Sequence, residues 1–212
     1  MEAVTAIVKA IPKKTARICL FIRAAGSNGD LLNLNANLSQ EGIKRCVSAT
    51  DFYTELIRQL QTLQFGNPQF FTSQFLSSIV TASHIFGASA EHIWRDHRLS
   101  LLETSWIRKL VAEGKPISKI LTASLEGEIL WDKYFRGSVK EYLEWIVGHP
   151  NEHFRIAVVH EPLCSLAASK FLSAEELGLE GCQAFLFCLS EEEENEIIGV
   201  FKLIPTETEQ CS

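Results

Sequence analysis

The sequence predicts a three-layer α/β/α sandwich built around a mainly parallel sheet. Short continuous apolar runs, typical of buried parallel strands, alternate along the chain with stretches of helical spacing. The 212 residues, of which 46% are hydrophobic and 22% charged, are enough to bury a sizeable core. Because no internal repeat or low-complexity linker interrupts the chain, a single domain over 1–212 is expected.

The first half of the chain contains two strand–helix pairs. An apolar run over 17–22, ended by a loop rich in Gly, Ser, Asn and Asp, predicts the first strand. Ser39 is a typical N-cap residue and precedes a helical pattern over about 41–63. A second short strand is predicted over 68–73 and a second helix over 75–86. This alternation of strands and helices favours a parallel sheet.

The second half is less regular at first and then returns to the same pattern. Residues 87–138 include three of the four tryptophans and are expected to form a lid or insertion. The acidic run 191–194 is expected to be a solvated turn between two strands. The other predicted elements are a helix over 139–147, a strand over 154–160, a helix over 162–172, and a terminal pair of strands over 182–189 and 196–204.

Composition argues against several classes of function. The net charge of −6 and the lack of a basic stripe argue against a nucleic-acid partner. The longest apolar runs are far shorter than the roughly 20 residues of a membrane helix, and the N-terminus has no evident signal-peptide cleavage site, so no membrane segment is expected. The six cysteines lack CxxC spacing and the histidines lack HExxH spacing. These patterns predict a reduced, cytoplasmic protein without a metal or other cofactor.

Two chemically important side chains fall at the carboxyl ends of predicted strands. Arg23 directly follows the run 17–22, and His160 ends the strand predicted over 154–160. Ligands of open α/β sheets bind outside the carboxyl ends of the strands, so these side chains are expected to share a site. An arginine at such a position is suited to hold an anion, yet two alanines follow it, Ala24 and Ala25.

Five segments, in their order and spacing, resemble motifs of the histidine phosphatase superfamily, which has the phosphoglycerate-mutase-like fold. The motifs are a strand ending in Arg-His-Gly, a Leu-Thr-x-x-Gly helix start, a Ser-Pro-Leu-x-Arg-Ala-x-x-Thr-Ala segment, an acidic segment and a strand ending in His-Gly. In this chain they read CLFIRAAG (19–26), LSQEG (38–42), TSQFLSSIVTA (72–82), LSLLE (99–103) and HPNEHFRIAVVHEPL (149–163). The resemblance spans about 17–204 and is weakest over 87–138.

The resemblance implies a site for phosphoryl transfer. In the family a histidine attacks phosphorus, two arginines and a second histidine bind the phosphoryl oxygens, and an acid protonates the leaving oxygen. By position, Arg23 matches the first arginine, His160 the second histidine and Glu103 the acid. Ala24 stands in place of the nucleophilic histidine, and Ser77 in place of the second arginine.

These differences imply a catalytically inactive member of the superfamily. Ala25 and Glu161 also replace the two motif glycines, and Glu161 would bring negative charge near a phosphate. Because an alanine cannot attack phosphorus, a binding or scaffold role is expected, with a phosphorylated ligand or a protein as partner. The resemblance also implies a homodimer. The alternative is a phosphatase or phosphomutase-like hydrolase that uses His160 and Arg23 in an altered mechanism.

Arg23 and the nearby hydroxyl groups have alternative roles. Arg23, His160 and Ser77 could together bind phosphate, or Arg23 could instead form an ion pair with Glu161 or Glu103. Ser27, Ser73 or Ser77 could replace the nucleophile with His160 as base, although no GxSxG motif supports this.

The tryptophans of the region 87–138 also have two possible roles. Trp94, Trp106 and Trp131 are expected to pack a lid onto the sheet, or to form an aromatic wall for a partner.

Overall fold

The structure, a computed structural model, describes residues 2–26, 35–99, 143–148, 152–160, 163–168, 171–173, 176–190 and 196–205. The strands are β1 (Thr15–Arg23), β2 (Gln69–Thr72), β3 (Ile93–Arg95), β4 (Phe154–Val159), β5 (Ala184–Ser190) and β6 (Ile197–Leu203). The helices are α1 (Glu2–Ala10), α2 (Gln40–Thr62), α3 (Leu76–Phe86) and α4 (Leu163–Ala168). Residues 143–147 are also helical, and single 3₁₀ turns cover Ala90–His92 and His97–Leu99.

The six strands form one sheet in the order β3-β2-β4-β1-β5-β6. The first four in this order are mutually parallel, whereas β5 runs antiparallel to β1 and β6 antiparallel to β5. The prediction of a mainly parallel sheet is thus confirmed. In the central pair, Arg23 of β1 lies opposite Val159 of β4, so the two strands reach the carboxyl edge of the sheet together.

Helices cover both faces of the sheet, which confirms the three-layer prediction. Alternate residues of β1 point to opposite faces, as the pleat requires. Ile18, Leu20 and Ile22 join a core beneath α1, α2 and α3, whereas Cys19 and Phe21 join a second core. The second core also contains Trp145 of the helical segment 143–147 and two residues of α4, Cys164 and Ala168.

The predicted strands and helices are present among the described residues, and the structure adds two elements that were not predicted. The helix predicted over 139–147 is described only from residue 143, and the acidic run 191–194 lies outside the described residues. The strands and helices begin and end within about two residues of the predicted bounds for most elements, but α4 ends at Ala168, well before residue 172. Neither α1 nor β3 was predicted from the sequence. Cys182, predicted to begin a strand, instead lies in a turn with a φ of 67°, and β5 begins at Ala184. Of the predicted lid, 87–99 is described and contains β3, while 100–138 lies outside the described residues.

The start of α2 fixes the loop that follows Arg23. Ser39 is the N-cap, as predicted, and its Oγ accepts a hydrogen bond from the backbone N–H of Gly42 at 3.0 Å. Both the backbone N–H and the hydroxyl of Ser39 donate to the carbonyl of Gly26. A Cβ at position 42 would lie 2.3 Å from that same carbonyl oxygen, so the close approach of loop and helix requires glycine there.

Within the described ranges, none of the helices combines the length and the apolar composition that crossing a membrane would take.

Candidate functional site

The carboxyl edge of the sheet brings Arg23 and His160 onto adjacent strands. Arg23 is the last residue of β1, and His160 directly follows β4. The backbone N–H of Ala24 donates to the carbonyl of Val159 at 2.7 Å, which extends the pairing of the two strands to the residues of the site. The expected juxtaposition of these two side chains at one edge follows from this parallel pairing.

Arg23 is half-buried and faces the segment before β5. Its Nη1 donates a hydrogen bond to the backbone carbonyl of Leu179. Its main chain is held on the same side, because Arg23 N–H donates to Gln183 O and Arg23 O accepts from Cys182 N–H, both at 2.9 Å. The two carboxylates predicted as ion-pair partners, Glu103 and Glu161, lie outside the described residues.

The two alanines that follow Arg23 bring only methyl groups to the site. Ala24 is 5% exposed and Ala25 is 3% exposed. The backbone N–H of Ala25 donates to Thr81 Oγ1 at 3.1 Å, and the Thr81 hydroxyl donates to the carbonyl of Ser77 at 2.7 Å. Residues 24 and 25 are therefore tied to the first turns of α3, and neither has a nucleophilic side chain.

The imidazole of His160 is bound on both nitrogens by serine hydroxyls of α3. Ser77 Oγ lies 3.0 Å from Nε2, and Ser78 Oγ lies 3.1 Å from Nδ1. Ser73 then donates to Ser78 Oγ at 2.7 Å, so three hydroxyls and the ring form one hydrogen-bonded chain. The ring also packs on Phe75, with 4.4 Å between ring centroids.

The surroundings of His160 favour its neutral form. Burial lowers the pKa of the imidazole to about 4, and the positive charge of Arg23 acts in the same direction. At neutral pH the ring therefore has one N–H donor and one acceptor nitrogen, which match the two serine hydroxyls. It contributes no positive charge to the site.

The described side chains of this edge are poorly suited to covalent catalysis. Ser77 is the hydroxyl closest to a base, but it is only 1% exposed. Its partner His160 has a pKa of about 4, far below the value that suits a general base near pH 7. The arrangement thus offers one guanidinium group, a neutral imidazole, buried hydroxyls and methyl groups.

Several residues of the site were not singled out from the sequence. Ser78 and Thr81 were missed, although both lie in a segment quoted for its resemblance. A signal was present, since three polar residues occur among apolar ones over 77–81 of a helix, and all three are buried. Ser27, Trp106 and Trp131 lie outside the described residues, whereas Trp94 is 68% exposed.

The described residues include no group of three or more His, Cys, Asp or Glu side chains placed to hold a metal ion.

Solved structures similar to this one include several phosphatases. A phosphoserine phosphatase from Entamoeba histolytica, a histidine-to-alanine mutant in complex with phosphoserine, gives a TM-score of 0.54 at 12% identity, over 87% of this chain and 96% of that one. A proposed alpha-ribazole-5′-phosphate phosphatase from Escherichia coli K-12 gives 0.52 at 13% identity, over 91% and 98%. The protein histidine phosphatase SixA complexed with tungstate gives 0.50 at 10% identity, over 87% and 96%.

These likenesses establish the fold. The chain has the phosphoglycerate-mutase-like fold of the histidine phosphatases, as its motifs predicted. No family model matches the sequence, and neither does any curated protein. At 10–13% identity, the similarity to these structures concerns the fold and not the activity.

Proposed function

We propose that this chain is a catalytically inactive protein of histidine phosphatase fold, which binds a phosphorylated ligand at the carboxyl edge of its sheet. The observation that supports this most directly is the methyl group of Ala24. It follows the arginine at the end of β1, where the family motif has the nucleophilic histidine. Without that imidazole the covalent route through phosphohistidine is closed.

The loss of rate expected without the nucleophile argues that this chain is catalytically inactive. Removing the nucleophile of a hydrolase can lower its rate by about 10⁶. Ser77 in place of a second arginine removes a bidentate donor for phosphoryl oxygens, whose charge must be neutralised in the transition state. His160 is neutral at pH 7, because burial and Arg23 lower its pKa to about 4, so it adds no compensating charge.

Binding is compatible with the loss of catalysis. The phosphoserine phosphatase from Entamoeba histolytica holds phosphoserine as a histidine-to-alanine mutant. In this chain Arg23 supplies a permanent positive charge at the carboxyl edge of the sheet. A phosphate monoester such as phosphoserine is therefore the ligand class that we propose, with Arg23 as the principal contact.

The test is an activity assay combined with a binding measurement. The wild-type protein should release no phosphate from p-nitrophenyl phosphate or phosphoserine above buffer, while calorimetry detects phosphoserine binding that weakens in Arg23→Gln. Restoring both motif residues with Ala24→His and Ser77→Arg should create phosphatase activity. Ala24→Gln with Ser77→Arg is the matched control, because glutamine resembles histidine in size but is not a nucleophile.

The opposite result would be turnover by the wild-type protein that disappears in His160→Ala. It would favour the second candidate, a phosphate monoester hydrolase in which His160 acts as base. The distance of 3.0 Å between Ser77 Oγ and His160 Nε2 is the observation that keeps this candidate in view. Because a base must be deprotonated, such activity would rise with pH through the pKa of His160, which is about 4.

A further inference from the structure

Two buried cysteines from distant parts of the chain meet beside the candidate site. Cys46 lies on α2 and Cys182 in the turn before β5, 136 positions apart in sequence. Their sulfur atoms are 3.8 Å apart, with the Cys182 thiol donating a hydrogen bond to Cys46. Both are free thiols, as are the other described cysteines, Cys19, Cys164 and Cys188.

The hydrogen bond makes Cys46 chemically different from its neighbours in the core. It lowers the pKa of Cys46 despite the opposing effect of burial. At Cys19 and Cys188 burial is the largest influence, and it raises the pKa of Cys19 to about 11 and that of Cys188 to about 12. Cys46 is therefore the better thiolate, and the thiolate is the reactive form.

A small cavity reaches Cys182, whose sulfur lies 3.8 Å from that of Cys46. Its volume is about 110 Å³, and Cys182 is among the residues that line it. The other lining residues are Arg45, Ser48, Ala49, Glu180, Gly181, Gln183 and Pro205. Since a water molecule occupies about 30 Å³ in the liquid, the cavity has room for a hydroperoxide as small as hydrogen peroxide.

We propose that Cys46 and Cys182 are a redox-sensitive pair that forms a reversible disulfide when a small hydroperoxide enters this cavity. The sulfur atoms, now 3.8 Å apart, must approach to about 2.05 Å for the disulfide to form. The proposal does not depend on the function suggested above, because it requires only the two thiols and the cavity.

The reaction takes place in two balanced steps. The Cys46 thiolate attacks one oxygen of the peroxide, so that an S–O bond forms, the O–O bond breaks, and hydroxide leaves and takes up the proton that Cys46 had released. The sulfur is oxidised to a sulfenic acid, and the peroxide is reduced to water. Cys182 then attacks this sulfur, the S–S bond forms, the S–O bond breaks, and a second water leaves with the Cys182 proton.

The backbone around Cys182 holds this thiol in place and connects it to Arg23. The carbonyl of Cys182 accepts a hydrogen bond from the hydroxyl of Tyr53 at 2.6 Å, and its N–H donates to the carbonyl of Arg23 at 2.9 Å. Its φ of 67° is unusual for a residue with a side chain and is maintained by these contacts. The disulfide would therefore join α2 directly to the turn that fixes the candidate site.

The experiment is disulfide mapping of the full chain by mass spectrometry, after treatment with hydrogen peroxide and alkylation of the remaining thiols. We expect a crosslinked peptide pair containing Cys46 and Cys182, which dithiothreitol converts back to two alkylatable thiols. Cys19 and Cys188 serve as internal controls and should remain alkylatable throughout. In Cys46→Ser the crosslink should be lost, and in Cys188→Ser it should persist.

Two results would overturn the proposal. One is oxidation of Cys46 to sulfinic acid without a crosslink, and the other is a crosslink that forms equally among the control cysteines. Because mapping of the wild-type protein decides the matter, a variant that fails to fold does not weaken the test. Phosphoserine binding is not part of this readout, so failure here and failure of the proposed function are distinguishable.

Discussion

His160 makes the stability of the folded chain depend on pH. The pKa of a histidine is about 6.5 in an unfolded chain, and burial together with Arg23 lowers it to about 4 here. Between these values the unfolded state binds a proton that the folded state does not. The part of the free energy of unfolding that depends on the neutral His160 ring is therefore fully present above pH 6.5. It is lost as the pH falls towards 4.

The expected loss across this window is up to about 3 kcal/mol in the free energy of unfolding, to be measured by urea denaturation at a series of pH values. In His160→Gln this part of the pH dependence should disappear. His153→Gln is the matched control, since His153 is exposed, and it should keep the wild-type profile. Equal profiles for wild type and His160→Gln would show that the ring is not held neutral by its surroundings.

At the residue scale, the sequence predicted some of the side chains that meet at the site but not their chemical state. Arg23, Ser77 and His160 belong to segments whose ends converge in this fold, so their proximity could be predicted. The second serine on His160, Ser78, was not predicted, because the resemblance assigns no role to its position in the segment 72–82. The low pKa of the ring depends on its burial by parts of the chain that are distant in sequence, so a local sequence pattern could not predict it.

At the element scale, the contact between α2 and the loop after β1 depends on one glycine. In Gly42→Ala the new methyl group would lie 2.3 Å from the carbonyl oxygen of Gly26, so helix and loop must separate. Overpacking of this kind typically costs about 1–3 kcal/mol in the free energy of unfolding, despite the better helix propensity of alanine. Chemical denaturation of the purified variant measures the loss.

Gly178→Ala provides the control for this substitution. A Cβ at position 178 would meet no atom within 4 Å, so the same chemical change should leave stability nearly unaltered. If Gly42→Ala were as stable as Gly178→Ala, the loop after β1 would be able to move away from α2. The close contact between Gly42 and the carbonyl of Gly26 would then not be needed for stability.

The success of the predictions for single elements depended on the length and burial of each element. β1, β4 and β5 are almost entirely buried, and each appears in the sequence as a continuous apolar run. β3 has only three residues, two of them exposed, and is shorter than any window in which periodicity can be detected. In α1 the helical spacing of Val4, Ile7 and Val8 is present, but the apolar stretch is short and Lys9 interrupts it, so the pattern alone does not predict a helix.

At the scale of the whole molecule, the amino and carboxyl ends of the central strands are occupied by different kinds of contact. Near the amino ends of the central strands lie two buried arginines, Arg17 of β1 and Arg155 of β4. They donate hydrogen bonds to the carbonyls of residues 145–147, at the C-terminal end of the helical segment 143–147. Cations at this end of a helix satisfy its last carbonyls and interact favourably with its dipole. The candidate site occupies the opposite, carboxyl edge.

This separation predicts that Arg155 stabilises the fold without taking part in ligand binding. Arg155→Met removes the donors to the carbonyls of Trp145 and Ile146, as well as the charge 4.7 Å above the Trp145 ring, and leaves Glu152 without its partner. Breaking such buried contacts costs about 3 kcal/mol or more in the free energy of unfolding.

Chemical denaturation should therefore show a large loss of stability in Arg155→Met, while the affinity of the folded fraction for phosphoserine stays at the wild-type value. Arg58→Met is the matched control, because Arg58 forms an exposed ion pair with Glu55, and its removal should leave stability unchanged. If Arg155→Met weakened phosphoserine binding as strongly as Arg23→Gln, the two edges would be energetically coupled. The amino edge would then have to be counted as part of the binding machinery.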